Sequence, residues 1–144
     1  MFVPESAFAN AMDYDIPMAA LIGEFDFAQL PLRTEGVING LNLWLQVNDC
    51  PTRLTLEASL EAQVSSTDPA VKFVGVVGDV TSTETIMGVP CHIVGFNRAD
   101  GLTMVEIIGV ENLPHWTTGF YPDFAWEFMS KFSKDADGKL IVAQ

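Results

Sequence analysis

The chain is poor in basic residues: its 144 residues include 7 Lys and Arg against 19 Asp and Glu, a formal net charge of -12. A field of that sign repels phosphate backbones and anionic lipid headgroups, so we expect no nucleic-acid or membrane partner. No apolar run approaches the ~20 residues that a membrane-spanning helix needs. The stretch "MFVPESAFANAMDYDIP" lacks the basic and apolar regions of a signal peptide, which makes a cytoplasmic location the default expectation.

Cysteine is also scarce, since Cys50 and Cys91 are the only two. Two cysteines do not make a disulfide framework, so we expect two buried free thiols, with a single bridge in a secreted protein as the alternative. His92 would point to the opposite face of a strand from Cys91, so the neighbours do not form a metal-binding pair. The sequence therefore predicts neither a metal site nor a cofactor.

Apolar residues, by contrast, are abundant, at 49% of the chain with ten Phe. That share suits a packed globular protein, and the length suits one domain over residues 1–144. Residues 16–22, "IPMAALI", form a run without charge that ends at Gly23. Such a run is typical of a strand buried on both faces of a parallel sheet. Glu24 and Asp26 follow at its carboxyl end, where open α/β sheets collect ligands and catalytic groups.

The next segment, "RTEGVINGLNLWLQVNDCP", has the apolar spacing of a helix, with Thr34 as the expected N-cap. Gly36 and Gly40 weaken a helix, unless they allow another element to approach closely. Residues 54–63, "LTLEASLEAQ", suit a helix and a strand equally well. Three β-like runs follow: "VKFVGVVGDV", "GVPCHIVGF" and "LTMVEIIGV". The "NRADG" between the last two has the composition of a hairpin turn.

His115 lies in a short loop between the last of these runs and an aromatic helix. Pro122 and Asp123 suit the start of that helix, because proline tolerates the first turn and an acid is favoured at the positive end of the dipole. Phe124, Phe128 and Phe132 follow at intervals of four residues, and we interpret this stripe as core packing.

In this order of elements the chain resembles the C-terminal half of an α/β-hydrolase, in which the triad acid and the triad histidine follow neighbouring sheet strands. "IPMAALIGEFD" is similar to the acid-bearing strand and "TMVEIIGVENLPHW" to the histidine-bearing strand. Trp44, Asn48 and Cys50 match a "W…N.C" helix end of the polyhydroxybutyrate depolymerase and feruloyl esterase group. The aromatic helix "AWEFMSKFSKDADGKL" after the histidine also matches, so the resemblance covers residues 15–140.

The resemblance implies a partial α/β-hydrolase-like fold, made of the last two parallel strands, their helices and a β-hairpin excursion. It also implies a carboxylic-ester hydrolase, of esterase or depolymerase type, acting on a hydroxy-acid or phenolic ester. Asp26 would then be the triad acid, with Glu24 as the alternative, and His115 the general base. His92, in the middle of a run, is expected to be structural.

One catalytic group is missing, because no serine of the chain lies in a Gly-x-Ser-x-Gly elbow. The seven serines are Ser6, Ser59, Ser65, Ser66, Ser82, Ser130 and Ser133. We therefore expect the chain to be inactive alone. The first strand would also lack a neighbour, so we expect it to pair with a second copy or with a missing N-terminal half. The alternative is a non-catalytic module for small-ligand binding or dimerisation on the same scaffold.

Overall fold

A four-stranded mixed sheet with strand order β1-β4-β3-β2 organises the chain. The computed structural model describes residues 15–26, 30–115, 119 and 121–142. The sheet strands are β1 (Met18–Phe25), β2 (Val80–Ile86), β3 (Val89–Asn97) and β4 (Thr103–Pro114). A second sheet pairs β5 (Phe132–Lys134) with β6 (Leu140–Val142). The helices are α1 (Glu35–Val47), α2 (Leu56–Ser65), α3 (Pro69–Val74) and α4 (Tyr121–Met129). The chain is thus an α/β protein with a mixed sheet.

Strands β1 and β4 are parallel neighbours, in register from Met18 opposite Val105 to Gly23 opposite Val110. This confirms the expected pairing of the early strand with the strand before His115. The expectation that residues 16–22 are buried on both faces is wrong. Ile16 precedes β1 and is 39% exposed, and most of β1 is only half-buried. In the described part of the chain no strand pairs with the outer side of β1, which leaves that strand at an edge.

The sheet is covered on both faces because side chains alternate along β4. On one face Ile107 packs with Val94 of β3 against residues of α1 and α3. On the other, Ile108 packs with Cys91 of β3 and with Phe124 of α4. Both cysteines are buried free thiols, as expected. None of the helices in the described ranges has the length and apolarity to cross a bilayer.

Helix α1 confirms the prediction for its segment, and Thr34 occupies the N-cap position, although its side chain makes no capping hydrogen bond. Gly36 and Gly40 do not serve a close approach, because a Cβ added at either position would meet nothing within 4 Å. The ambiguous residues 54–63 lie largely in a helix, α2. Its start is fixed by the Thr55 side chain, which accepts a hydrogen bond from the Ala58 N–H.

The first β-like run, residues 71–80, was wrongly predicted, because most of its apolar residues belong to α3 and the loop after it. Asp68 caps that helix by accepting from the Ala70 and Val71 N–H groups, and Gly75 ends it with a φ of 92°. Apolar content alone does not distinguish a short buried helix from a strand. The strand that precedes the hairpin is instead β2, "VTSTETI", which is almost entirely exposed and polar.

The C-terminal part follows the prediction only as far as Met129, because the two-stranded sheet of β5 and β6 was not predicted. Helix α4 begins at Tyr121 as expected but ends at Met129, so Phe132 lies in β5 and not on the helix. The aromatic contact survives, with the Phe128 and Phe132 ring centroids 5.3 Å apart. The "NRADG" turn joins β3 to β4, which are antiparallel, as a hairpin requires.

Asn48 ties the start of the first strand to the end of α1. Its side chain is fully buried; Oδ1 accepts from the Ile16 N–H at 3.0 Å and Nδ2 donates to the Trp44 carbonyl at 2.9 Å. The Trp44 carbonyl also accepts from the Asn48 backbone N–H, at 3.2 Å, whereas the partly buried Ile16 N–H has the Asn48 side chain as its protein acceptor. Asn48 therefore fixes where the chain enters β1.

We predict that Asn48→Ala lowers the free energy of unfolding by about 2–4 kcal/mol, because it removes both hydrogen bonds. Urea denaturation measures the change. Asn39→Ala, at an exposed position of the same helix, is the matched control and should change stability by less than about 0.5 kcal/mol. Equal effects of the two substitutions would contradict the structural role of Asn48.

Candidate functional site

Asp26 and His115 meet at the carboxyl ends of β1 and β4. Each residue follows directly on its strand, and because the strands are parallel neighbours, their ends lie at the same edge of the sheet. His115 Nδ1 lies 2.5 Å from Asp26 Oδ1. The His115 side chain is 66% exposed and that of Asp26 is 20% exposed. The structure thus brings together the two residues that the sequence singled out, here called the acid–base pair.

The hydrogen bond sets which ring nitrogen can act as a base. An ionised carboxylate only accepts hydrogen bonds, so His115 Nδ1 carries the proton that is donated to Asp26. In the neutral ring Nε2 is then the nitrogen with a lone pair, and it can take a proton from a hydroxyl group. The acid–base pair therefore has the arrangement of a general base oriented by a carboxylate.

A bulge in β4 precedes His115. The register advances from Gly23 opposite Val110 to Phe25 opposite Pro114, so three residues of β4 lie opposite Glu24 alone. We call residues 111–113 the β4 bulge. Within it, Asn112 has a φ of 56°, in the left-handed region that Asn tolerates better than most residues. Bulges of this kind bend a strand and re-aim the side chains that follow.

Gly23 makes room for the β4 bulge. A Cβ at this position would overlap the Leu113 carbonyl group and lie 2.8 Å from the Pro114 carbonyl oxygen. Backbone atoms cannot move aside as a flexible side chain can. The absence of a side chain at Gly23 is therefore a condition for the folded path of β4 toward His115.

Glu24, the alternative acid, does not serve His115 through the bonds that the structure shows. Its Oε2 accepts from the Asn112 N–H at 2.8 Å, within the β4 bulge. Of the two carboxylates at the carboxyl end of the first strand, Asp26 is the one that bonds to the imidazole. The sequence could not separate them, because both lie within four residues of the end of the apolar run at Ile22.

His92 forms a second histidine–carboxylate pair, but a buried one. The residue is 5% exposed, its Nε2 lies 2.8 Å from Glu111 Oε1, and its Nδ1 lies 3.2 Å from Thr83 Oγ1. Its ring also stacks on Phe73, with centroids 4.3 Å apart. With both nitrogens bonded and the ring enclosed, His92 is a structural residue, as expected.

The thiols are unsuited to nucleophilic attack. Burial raises the pKa of Cys50 to about 11 and also raises the pKa of Cys91. The reactive form of cysteine is the thiolate, so both groups are inert near neutral pH. Among the described residues, no three His, Cys, Asp or Glu side chains cluster in a way that could hold a metal ion.

A cleft of about 190 Å³ lies apart from the acid–base pair, between α4 and the sheet. Its polar lining includes Glu84, Glu106, Glu127 and Lys131. Burial raises the pKa of Glu106; Lys131 acts in the opposite direction, and the other two carboxylates add to the rise. Glu106 lies in the first part of β4, whereas His115 follows the end of that strand.

No protein-family profile matches the chain, and no curated protein sequence matches it significantly. The resemblance to α/β-hydrolases therefore stays a prediction made from the sequence. The geometry of the acid–base pair, and of the bulge that leads to it, is the basis on which a function can be assigned to the chain.

We predict that Gly23→Ala destabilises the fold by about 1–3 kcal/mol, because the new methyl group forces the β4 bulge away from β1. Gly40→Ala is the matched control: its Cβ meets open space in the middle of α1, so it should stabilise by about 0.5–1 kcal/mol. Urea denaturation of both variants measures the two effects. A Gly23→Ala variant as stable as the wild type would show that the bulge does not need this glycine.

Proposed function

We propose that this chain supplies the acid and the base of a Ser-His-Asp triad in a carboxylic-ester hydrolase of the esterase or depolymerase type. The observation that carries the proposal is the bond between Asp26 and His115 at the carboxyl ends of two adjacent parallel strands. That edge of an open α/β sheet is where catalytic groups collect. The partial α/β-hydrolase-like fold is part of the same proposal.

In the proposed reaction His115 Nε2 takes the proton of a serine hydroxyl as its oxygen attacks the ester carbonyl. The proton then passes to the alkoxide leaving group, the ester C–O bond breaks, and an acyl-enzyme remains. Water, deprotonated by the same nitrogen, releases the acid and regenerates the serine. Asp26 holds the imidazole in the required tautomer and stabilises the imidazolium that forms in each half-reaction.

Because no serine of this chain lies in a Gly-x-Ser-x-Gly motif, another polypeptide segment has to provide the nucleophile. The β1 edge of the sheet is the one that suits the binding of such a segment. The two edges of the sheet differ: β2 is polar and exposed, while β1 is apolar and half-buried. Exposed polar edges resist strand addition, whereas an apolar edge favours it. We propose that a nucleophile-bearing segment adds a strand alongside β1, next to the acid–base pair.

We predict that the same or an adjoining reading frame encodes a Gly-x-Ser-x-Gly segment, and that co-production of that segment with this chain gives hydrolysis of p-nitrophenyl butyrate. Asp26→Asn should lower kcat by about 10⁴-fold, because the tautomer of the base is lost, and His115→Ala should lower it at least as much. Asp137→Asn, at an exposed carboxylate in the turn between β5 and β6, is the matched control and should leave kcat unchanged.

The chain by itself should release p-nitrophenol no faster than its His115→Ala variant. Faster release from the unaltered chain would show that a nucleophile is already present, and the account of a divided triad would be wrong. Absence of any Gly-x-Ser-x-Gly segment from the neighbouring reading frames would equally contradict the proposal.

A second candidate function is a non-catalytic dimerisation module, favoured by one observation. Phe25, at the end of β1, is 65% exposed beside the same apolar edge. Two copies could bury both features by pairing β1 with β1, and a homodimer would then replace the nucleophile-bearing segment at that edge.

The two candidates differ in the mass of the purified chain. Our proposal predicts a monomer of 15.7 kDa in the absence of the nucleophile-bearing segment, measured by size-exclusion chromatography with light scattering. The dimerisation module predicts twice that mass, reduced to the monomer by Phe25→Glu, which places two charges in the paired edge. A dimer that dissociates in this variant would favour the second candidate.

A further inference from the structure

We propose that Glu24 is a positioning residue for His115: by accepting the Asn112 N–H it holds the β4 bulge in the conformation that delivers the imidazole to Asp26. This inference rests on the proposed function, since it assigns a residue to the same site. It changes the interpretation of Glu24 from an alternative triad acid to a residue that acts through the backbone.

The first step is the place of the bond in the chain. Glu24 Oε2 reaches the Asn112 N–H at 2.8 Å across a sequence separation of 88 residues. Asn112 lies in the middle of the β4 bulge and three residues before His115. The bond therefore joins the end of β1 to the segment that carries the base, at the point where the regular ladder of the two strands is interrupted.

The second step is the conformation that the bond selects. Asn112 has a φ of 56°, which an L-residue adopts at a cost relative to the extended conformation of a strand. Without a partner in β1, the exposed N–H could bond to water in any of several backbone conformations. A hydrogen bond to a charged acceptor is stronger than one to a neutral acceptor, so Glu24 favours the bulged conformation over the alternatives.

The third step is that the bulge decides where His115 lies. A regular ladder would place the residue opposite Phe25 two positions earlier in β4, at Asn112 instead of Pro114. His115 would then lie beyond the end of β1, out of register with Asp26. The two inserted positions bring the imidazole beside Asp26, and Gly23 provides the space that this path needs.

The experiment compares Glu24→Ala with Glu24→Gln in the full chain by NMR. Two signals are followed: the downfield Nδ1 proton of His115, which reports its bond to Asp26, and the exchange rate of the Asn112 amide proton. Glu24→Ala should broaden the His115 signal and raise Asn112 exchange by about tenfold, as expected for loss of one hydrogen bond. Glu24→Gln keeps an oxygen acceptor and should retain most of both signals.

Asp26→Asn separates the two carboxylates. It should abolish the downfield His115 signal and leave the exchange of the Asn112 amide unchanged, because the Glu24 bond stays intact. If Glu24 were the triad acid, Glu24→Gln would instead remove the His115 signal and Asp26→Asn would preserve it. That pattern would overturn the inference, and so would a Glu24→Ala variant with both signals at wild-type values.

A double variant distinguishes a local effect on the β4 bulge from general unfolding of the Glu24→Ala variant. Asn112→Gly removes the penalty for a positive φ, so in the Glu24→Ala background it should restore the His115 signal at least in part. Failure of this rescue, in a variant with wild-type far-ultraviolet circular dichroism, would also overturn the inference. None of these measurements uses ester hydrolysis, so a negative hydrolysis experiment and a negative NMR experiment would refute different claims.

Discussion

The parallel pairing of β1 with β4 is the constraint on which the site depends. Asp26 and His115 are 89 residues apart in sequence, and only adjacent strands running in the same direction bring both carboxyl ends to one edge. An antiparallel arrangement would have placed them at opposite ends of the sheet. The intervening helices and the β2–β3 hairpin are a long connection that makes this pairing possible, since parallel neighbours cannot be joined by a tight turn.

The pairing of β1 with β4 could be predicted from the sequence, because each of the two strands has a clear local sequence pattern. The apolar run ending at Gly23 and the run before His115 each predict a strand with a polar group after it. The prediction failed where the sequence pattern was weak, as in β2, or where a helix and a strand have the same pattern, as in α3. Strand β2 has no apolar face to reveal it, and α3 looks like a strand unless Asp68 and Gly75 are recognised as its caps.

The β4 bulge could not have been predicted, because nothing local encodes it. It depends on the missing side chain of Gly23, on the Glu24 carboxylate and on the backbone of Asn112, which come together only when the sheet has formed. Sequence spacing alone therefore identifies Asp26 and His115 but not the residues that hold the two side chains together. The same limit explains why Glu24 and Asp26 looked equivalent before their partners were known.

The chain contains two histidine–carboxylate pairs whose surroundings differ, and the difference determines whether a substrate can reach the imidazole. His92 with Glu111 and His115 with Asp26 are the same pair of groups at similar contact distances, 2.8 and 2.5 Å. His92 is enclosed, stacked on Phe73 and bonded at both ring nitrogens, so a substrate cannot reach it. His115 is bound to its carboxylate through Nδ1 and is largely exposed, which leaves its ring within reach of an incoming hydroxyl group. Exposure at the end of a parallel strand, and not the pairing itself, is what distinguishes His115, the proposed general base, from the structural His92 in this fold.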